Sequence, residues 1–204
     1  MFLVHRFGGW YSDTDVIFIR QLIIKNDGNT LRNVIASDAL SNGVGRLLIA
    51  NGVFHNEAGH LFLETAINLF NSTFINGKYT SSGPKVVTKA LEKLCEKQMR
   101  ISTSSNPTIM MDCAGMNIVD SKFFYPFDWF HHTILNEHMT EQYWDEQFKD
   151  SILVHYYQSS SRGGEHGKGF PSVLRPNHYG KRKPALAYFA PKECPISFYS
   201  TKPF

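Results

Sequence analysis

Two carboxylates separated by one residue, Asp13 and Asp15, stand between the glycine pair Gly8-Gly9 and the apolar run Val16-Ile17-Phe18-Ile19. In an extended segment residues i and i+2 share a face, so both carboxylates can be presented to one point. Hard divalent cations such as Mn²⁺ and Mg²⁺ prefer oxygen ligands, and a site with two protein carboxylates leaves coordination positions for water and substrate phosphates. The same spacing also suits a pair of exposed aspartates in a strand-end turn. The apolar run after Asp15 would anchor the element in a sheet, and Gly8-Gly9 lets the backbone turn tightly ahead of it.

The elements that must position these groups can be read along the chain. Met1–Phe7 reads as the end of a helix, closed by Gly8, with Tyr11–Asp13 and Val16–Ile19 extended after it. Asn26-Asp27-Gly28-Asn29 is a turn from which Leu31–Ala36 returns as a strand, and Leu47–Ala50 is a buried strand leading into Asn51-Gly52. Phe62, Ala66, Leu69 and Phe70 form the apolar stripe of one helix. Val87, Ala90, Leu91, Leu94 and Cys95 form that of another, opened by Pro84, whose missing N–H costs nothing there. Ile109–Asp112 is a short strand, Thr140 can cap a short helix through Phe148, and Ser151–His155 reads as a last strand. Residues 162–184, rich in Gly, Pro and basic residues, are expected to be a flexible basic loop.

The 204 residues, 42% hydrophobic, can bury one sizeable core, so a single domain over 1–204 is expected. A formal charge of +3 is too mild to argue for a nucleic-acid partner. No run approaches the roughly 18 apolar residues of a membrane span, and Met1–Phe7 is no signal peptide. Three cysteines, Cys95, Cys113 and Cys194, leave one unpaired if two are bridged, and three free thiols are also consistent with the count. Asn71-Ser72-Thr73 fits the N-glycosylation acceptor pattern.

Gly8-Gly9-Trp10-Tyr11-Ser12-Asp13-Thr14-Asp15 resembles the G-G-x-Y-x-D-x-D signature of sugar-nucleotide transferases with the GT-A fold. More narrowly, the chain resembles the α1,4-glycosyltransferase family. Asn51-Gly52-Val53-Phe54 is similar to its N-G-x-F segment, Gly59-His60 to the pair opening the next helix, and Ser82-Gly83-Pro84 with Thr88 and Cys95 to its G-P-x-x-x-T…C helix. Cys113 with Phe124-Tyr125-Pro126, Val154-His155 and Cys194-Pro195 continue the likeness in order. The resemblance implies an α/β, Rossmann-like GT-A architecture with a mixed sheet and flanking helices. It further implies that the nucleotide-binding half, the stem and the membrane anchor of a Golgi protein with a lumenal catalytic domain would lie upstream of Asp13. The chain is therefore expected to be an N-terminally truncated part of such a domain. In that lumenal setting a Cys95–Cys113 disulfide is implied, because similar proteins carry cysteine at both positions.

The implied activity is retaining transfer of a hexose (galactose, or N-acetylgalactosamine or N-acetylglucosamine) from a UDP-sugar, in α1,4 linkage, to a glycolipid such as lactosylceramide. By resemblance Asp15 coordinates Mn²⁺ or Mg²⁺ directly, Asp13 contacts the ribose or acts through water, and His155 is the third protein ligand. Gln158 and Ser161 would contact phosphate, although Tyr156–Ser161 departs from the family's usual W-N-x-x-S. Asn51 would contact the donor sugar with Gly52 allowing close approach, although Asn-Gly is also a common turn. Gly83, Pro84, Phe124, Tyr125 and Trp129 would line the acceptor side, with core packing the alternative for the rings. No acidic residue among Glu57, Glu64 and Asp112 is marked as a nucleophile, so an internal-return mechanism is as good an expectation as a covalent one. Two rivals remain: an inactive fragment of the same family, and a phosphatase of the haloacid-dehalogenase type reading Asp13–Ile17 as its nucleophile motif. The phosphatase would need an apolar strand running into the first Asp and a late Asp pair.

Overall fold

The structure, a computed structural model, describes residues 1–26, 28–40, 47–76, 83–95, 109–157 and 180–196. They fall into two compact units, Met1–Asp13 with Ile23–Tyr125, and Thr14–Leu22 with Pro126–Phe204.

The first unit begins with α1 (Phe2–Phe7), which Gly8 closes at φ 71° by donating its N–H to the Val4 carbonyl at 2.8 Å. A mixed sheet follows, built from β1 (Gly9–Ser12), β5 (Val34–Leu40), β6 (Leu47–Asn56), β7 (Ile109–Cys113) and β8 (Met116–Val119). Its order is β1-β6-β5-β8-β7, with β5 and β8 parallel and the other neighbours antiparallel. Helices α2 (Leu61–Thr73) and α3 (Pro84–Leu94) pack on it, and Phe62, Leu63, Ala66, Val87 and Leu91 meet Ile35, Ile49, Phe54 and Ile118 in a dry core. Leu69 and Phe70, at the far end of the expected stripe, are only partly buried. A disulfide joins Cys95, at the end of α3, to Cys113 at the end of β7. The mixed α/β character and flanking helices agree with the expected class.

Two local expectations change. The turn at Gly28 closes only a minimal hairpin, β3 (Lys25–Asn26) on β4 (Asn29–Thr30), and the strand expected to return along it joins the main sheet instead. Val34, Ile35 and Ala36 are all fully buried. A run covered on both faces belongs at the centre of a sheet rather than in a surface hairpin. Asn51-Gly52 is not a turn either. β6 runs straight through it, and the irregularity is absorbed as a register shift between the pairs Ser37–Ile49 and Ile35–Phe54.

His60 caps α2, its Nδ1 accepting the Phe62 N–H at 3.2 Å while the Gly115 backbone engages the ring. Burial is the main cause of a lowered His60 pKa, opposed by Glu57 and the Gly115 bond.

In the second unit β2 (Val16–Phe18) pairs antiparallel with β10 (Leu153–His155), and β9 (Met139–Thr140) pairs with β11 (Arg182–Lys183). Thr140 caps α4 (Glu141–Gln147) by accepting the Tyr143 N–H at 3.2 Å. Trp144 is the centre of the core, fully buried among Phe148, Val154, Tyr188 and Phe189, with α5 (Ala185–Glu193) supplying the last two. Its indole N–H donates to the Lys183 carbonyl at 2.8 Å. Arg182–Lys183 therefore forms a strand at the end of the stretch expected as loop, so Ser151–His155 does not hold the last strand; residues 162–179 lie outside the described set. No helix among the described residues is long and apolar enough to cross a membrane.

Phe62→Ala should lower unfolding stability by about 3–5 kcal/mol, because the ring is fully buried, and Phe70→Ala by clearly less; urea unfolding of the two variants checks this order. The pH dependence has a definite sign. A histidine whose pKa falls on folding binds its proton better when unfolded, so its contribution is complete above the unfolded value of about 6.5 and declines as pH falls below it. His60→Asn, which keeps a capping oxygen but cannot titrate, should flatten that part of a thermal-melt pH profile.

Candidate functional site

Asp13 follows directly on β1, whose alternation places Tyr11 on the same side. The Tyr11 hydroxyl donates to Asp13 Oδ1 at 2.7 Å, and the Asp13 N–H donates to the Gly52 carbonyl at 2.7 Å. Through Gly52 the aspartate is tied to β6, where Asn51 lies. The Asn51 side chain in turn lies against Gly83, the N-cap residue of α3: a Cβ added at Gly83 would stand 2.6 Å from Asn51 Oδ1. Asp13 is thus bonded to the residue after Asn51, and Asn51 lies against the residue before Pro84.

Asp15 is held from the other side of the motif. Its carbonyl accepts the Tyr156 N–H at 3.0 Å, continuing the β2–β10 pairing by one step, in which Val16 lies opposite His155. His155 Nε2 is 3.2 Å from Asp15 Oδ1, with 8% and 14% of the two side chains exposed. The pair is therefore nearly dry, where an electrostatic contact is worth more than at the surface. The Tyr157 ring packs on the His155 ring, centroids 4.1 Å apart, from a backbone at φ 49°. Bulky residues rarely occupy that region.

His155 Nε2 and Asp15 Oδ1 are close enough to share one cation, and Asp13, two residues ahead of Asp15 in the chain, offers a further carboxylate. Two atoms bound to one cation at roughly 2.2 Å can be at most about 4.4 Å apart, and the 3.2 Å between His155 and Asp15 lies within that limit. The donor set, two carboxylates and an imidazole, suits Mn²⁺ or Mg²⁺.

Other candidates fall elsewhere. Tyr125 is 2% exposed and its hydroxyl accepts the Val53 N–H at 3.0 Å, while Phe124 is fully buried, so both rings serve the core. Trp129 is 40% exposed and stacks on His132. His155 does not end a strand of the main sheet, as an open parallel α/β sheet would require; it sits in a separate two-stranded antiparallel pair. Asn71 lies in α2, and Gln158 and Ser161 lie outside the described residues. Sequence reasoning missed Tyr11, Tyr156 and Tyr157 as supports. Tyr11 was legible, being two positions before Asp13; the left-handed turn at Tyr157 was not.

The family model for the alpha 1,4-glycosyltransferase conserved region matches residues 55–173. The chain belongs to the α1,4-glycosyltransferase family. The match includes His155 and begins after Asp15. Among curated relatives, lactosylceramide 4-alpha-galactosyltransferase of Mus musculus is 25% identical over 162 residues, covering 79% of this chain and 40% of the relative. The proteins of the same name from Rattus norvegicus and Gorilla gorilla gorilla are each 24% identical over 162 residues, covering 39% and 43% of their lengths. The chain thus spans about two-fifths of the length of the relatives it matches. No solved structure matches it. Membership favours a transferase over the phosphatase reading.

The Asn51–Gly83 contact yields a coupled prediction. Gly83→Ala should destabilise the protein by about 1–3 kcal/mol by forcing the amide aside. Asn51→Ala should recover most of that loss, and a double-mutant cycle by urea unfolding measures the coupling.

Proposed function

We propose that this chain carries the metal- and diphosphate-binding elements of a retaining α1,4-glycosyltransferase that moves galactose from a UDP-sugar to a glycolipid such as lactosylceramide. The supporting observation is the approach of His155, from β10, to Asp15 at 3.2 Å, although 140 positions separate them in sequence. The name of the relatives supports galactose as donor sugar and a lactosyl glycolipid as acceptor. Of the alternatives for a D-x-D, a solvated aspartate pair gives no reason for a largely buried imidazole beside it.

In this reading Asp15 and His155 hold Mn²⁺ or Mg²⁺, and Asp13, fixed by Tyr11, completes the protein ligands or reaches the ribose through water. A cation bound there supplies neutralisation of the leaving diphosphate as a Lewis acid. Gln158 and Ser161 contact phosphate. Asn51 contacts the donor sugar, and Gly83 and Pro84 line the acceptor side. A GT-A architecture completed by further chain, attachment to a Golgi membrane through a segment outside these residues, and a glycan on Asn71 in the lumen all belong to the same proposal.

In the full-length enzyme, Asp15→Asn should reduce Mn²⁺-dependent transfer from UDP-galactose by at least about 100-fold, because it removes an anionic ligand. His155→Ala should raise the Mn²⁺ concentration needed for half-maximal rate and weaken Mn²⁺ binding followed by electron paramagnetic resonance. Turnover of Asp15→Asn at the unmutated rate would sink the assignment.

A further inference from the structure

From the buried His155 a row of aromatic rings leads to the surface of the second unit. Tyr157 packs on His155, His132 lies 5.5 Å from Tyr157 between centroids, and Trp129 stacks on His132 at 5.9 Å and 26°. The outer end is held by hydrogen bonds rather than by burial. The Asp128 carboxylate accepts the His131 backbone N–H at 2.9 Å and pairs with the His131 ring at 2.7 Å, closing the turn that carries Trp129. His132 Nδ1 donates to the Trp129 carbonyl, fixing the ring that supports the indole. The Tyr157 hydroxyl donates to the Phe127 carbonyl at 3.2 Å, which ties the inner end of the row to the same turn.

An exposed indole on a surface turn is commonplace. One backed by a second ring and connected ring by ring to a candidate metal ligand is not accounted for by core packing, since Trp129 retains 40% exposure. An indole face offers weakly negative π density over a large apolar area. The ligand chemistry that matches it is the C–H face of a pyranose, whose hydroxyls project around the rim to water and to nearby polar groups. A ligand site typically combines such an aromatic surface with a few fixed polar groups.

We propose that Trp129, backed by His132, is a stacking platform for a sugar ring of the acceptor, and that Tyr157 positions this platform relative to His155. This inference deepens the proposed transferase function and rests on it for the identity of the sugar as an acceptor. A lipid bilayer could also attract an exposed indole, especially beside Phe130, which is 64% exposed. The continuous row from the site favours the sugar, because a membrane contact gives no reason for the inner rings to be stacked.

Binding of methyl β-lactoside to the full chain, without donor or added metal, tests the platform separately from catalysis. Saturation-transfer NMR should show contact with one pyranose of the lactoside. Trp129→Ala should reduce the signal by about tenfold, and Trp129→Phe should retain a substantial part of it. In the active enzyme the same Trp129→Ala change should raise the acceptor KM about tenfold. The proposal is overturned if the unmutated chain gives no lactoside signal, if Trp129→Ala binds the sugar unimpaired, or if Trp129 proves necessary only for binding phosphatidylcholine vesicles. Loss of UDP-galactose use with lactoside binding intact would count against the transferase function alone and leave the sugar platform standing.

Discussion

The pairing of two three-residue strands, β2 with β10, is the constraint on which the candidate site depends. It sets Val16 opposite His155, and the Tyr156 N–H extends it to the Asp15 carbonyl. Antiparallel register leaves no freedom about which side chains become neighbours, because a slip of one residue would turn every side chain to the opposite face. So short a pair is weak by itself. It persists because Val154 and Tyr156 are packed into the core around Trp144, so the geometry of the site is secured by apolar burial beyond it.

Asp13 is secured by different means. Its backbone is bonded to Gly52 in a sheet strand, and its carboxylate is held by a tyrosine from its own strand. A ligand whose remaining oxygen is occupied by a fixed donor loses less side-chain entropy on binding a cation, which is how supporting hydrogen bonds tune metal affinity. The Asp13–Gly52 bond carries the β1–β6 pairing one step beyond Ser12–Val53, while the register shift of β6 lies on its other edge, against β5.

Electrostatics explains why the two aspartates are not equivalent. The Asp15 side chain is largely out of water and adjoins an imidazole that can carry a proton or yield it to a cation. A buried carboxylate is costly without such a partner. Asp13 instead accepts a hydrogen bond from a phenol. The two carboxylates therefore enter the site with different companions, consistent with the different roles proposed for them.

The sequence by itself determined the helices α2 and α3, the Thr140 cap and the extended nature of Val16–Ile19 and Ser151–His155, with Tyr11–Asp13 overlapping the strand observed at Gly9–Ser12, because each carries a local signal: apolar periodicity, a capping residue or a β-branched run. It also singled out Asp13 and Asp15 as candidate metal ligands, which needs only i, i+2 spacing. Resemblance to relatives, rather than spacing, singled out His155. The tertiary structure alone decided that Val34–Leu40 lies mid-sheet instead of returning on its hairpin, and that Asn51-Gly52 continues a strand instead of turning. It alone decided that β2 and β10 form their own pair and that Tyr125 is core. These are choices among partners distant in sequence, settled by which pairing buries most apolar surface while leaving no backbone polar group unsatisfied. No local pattern encodes that sum.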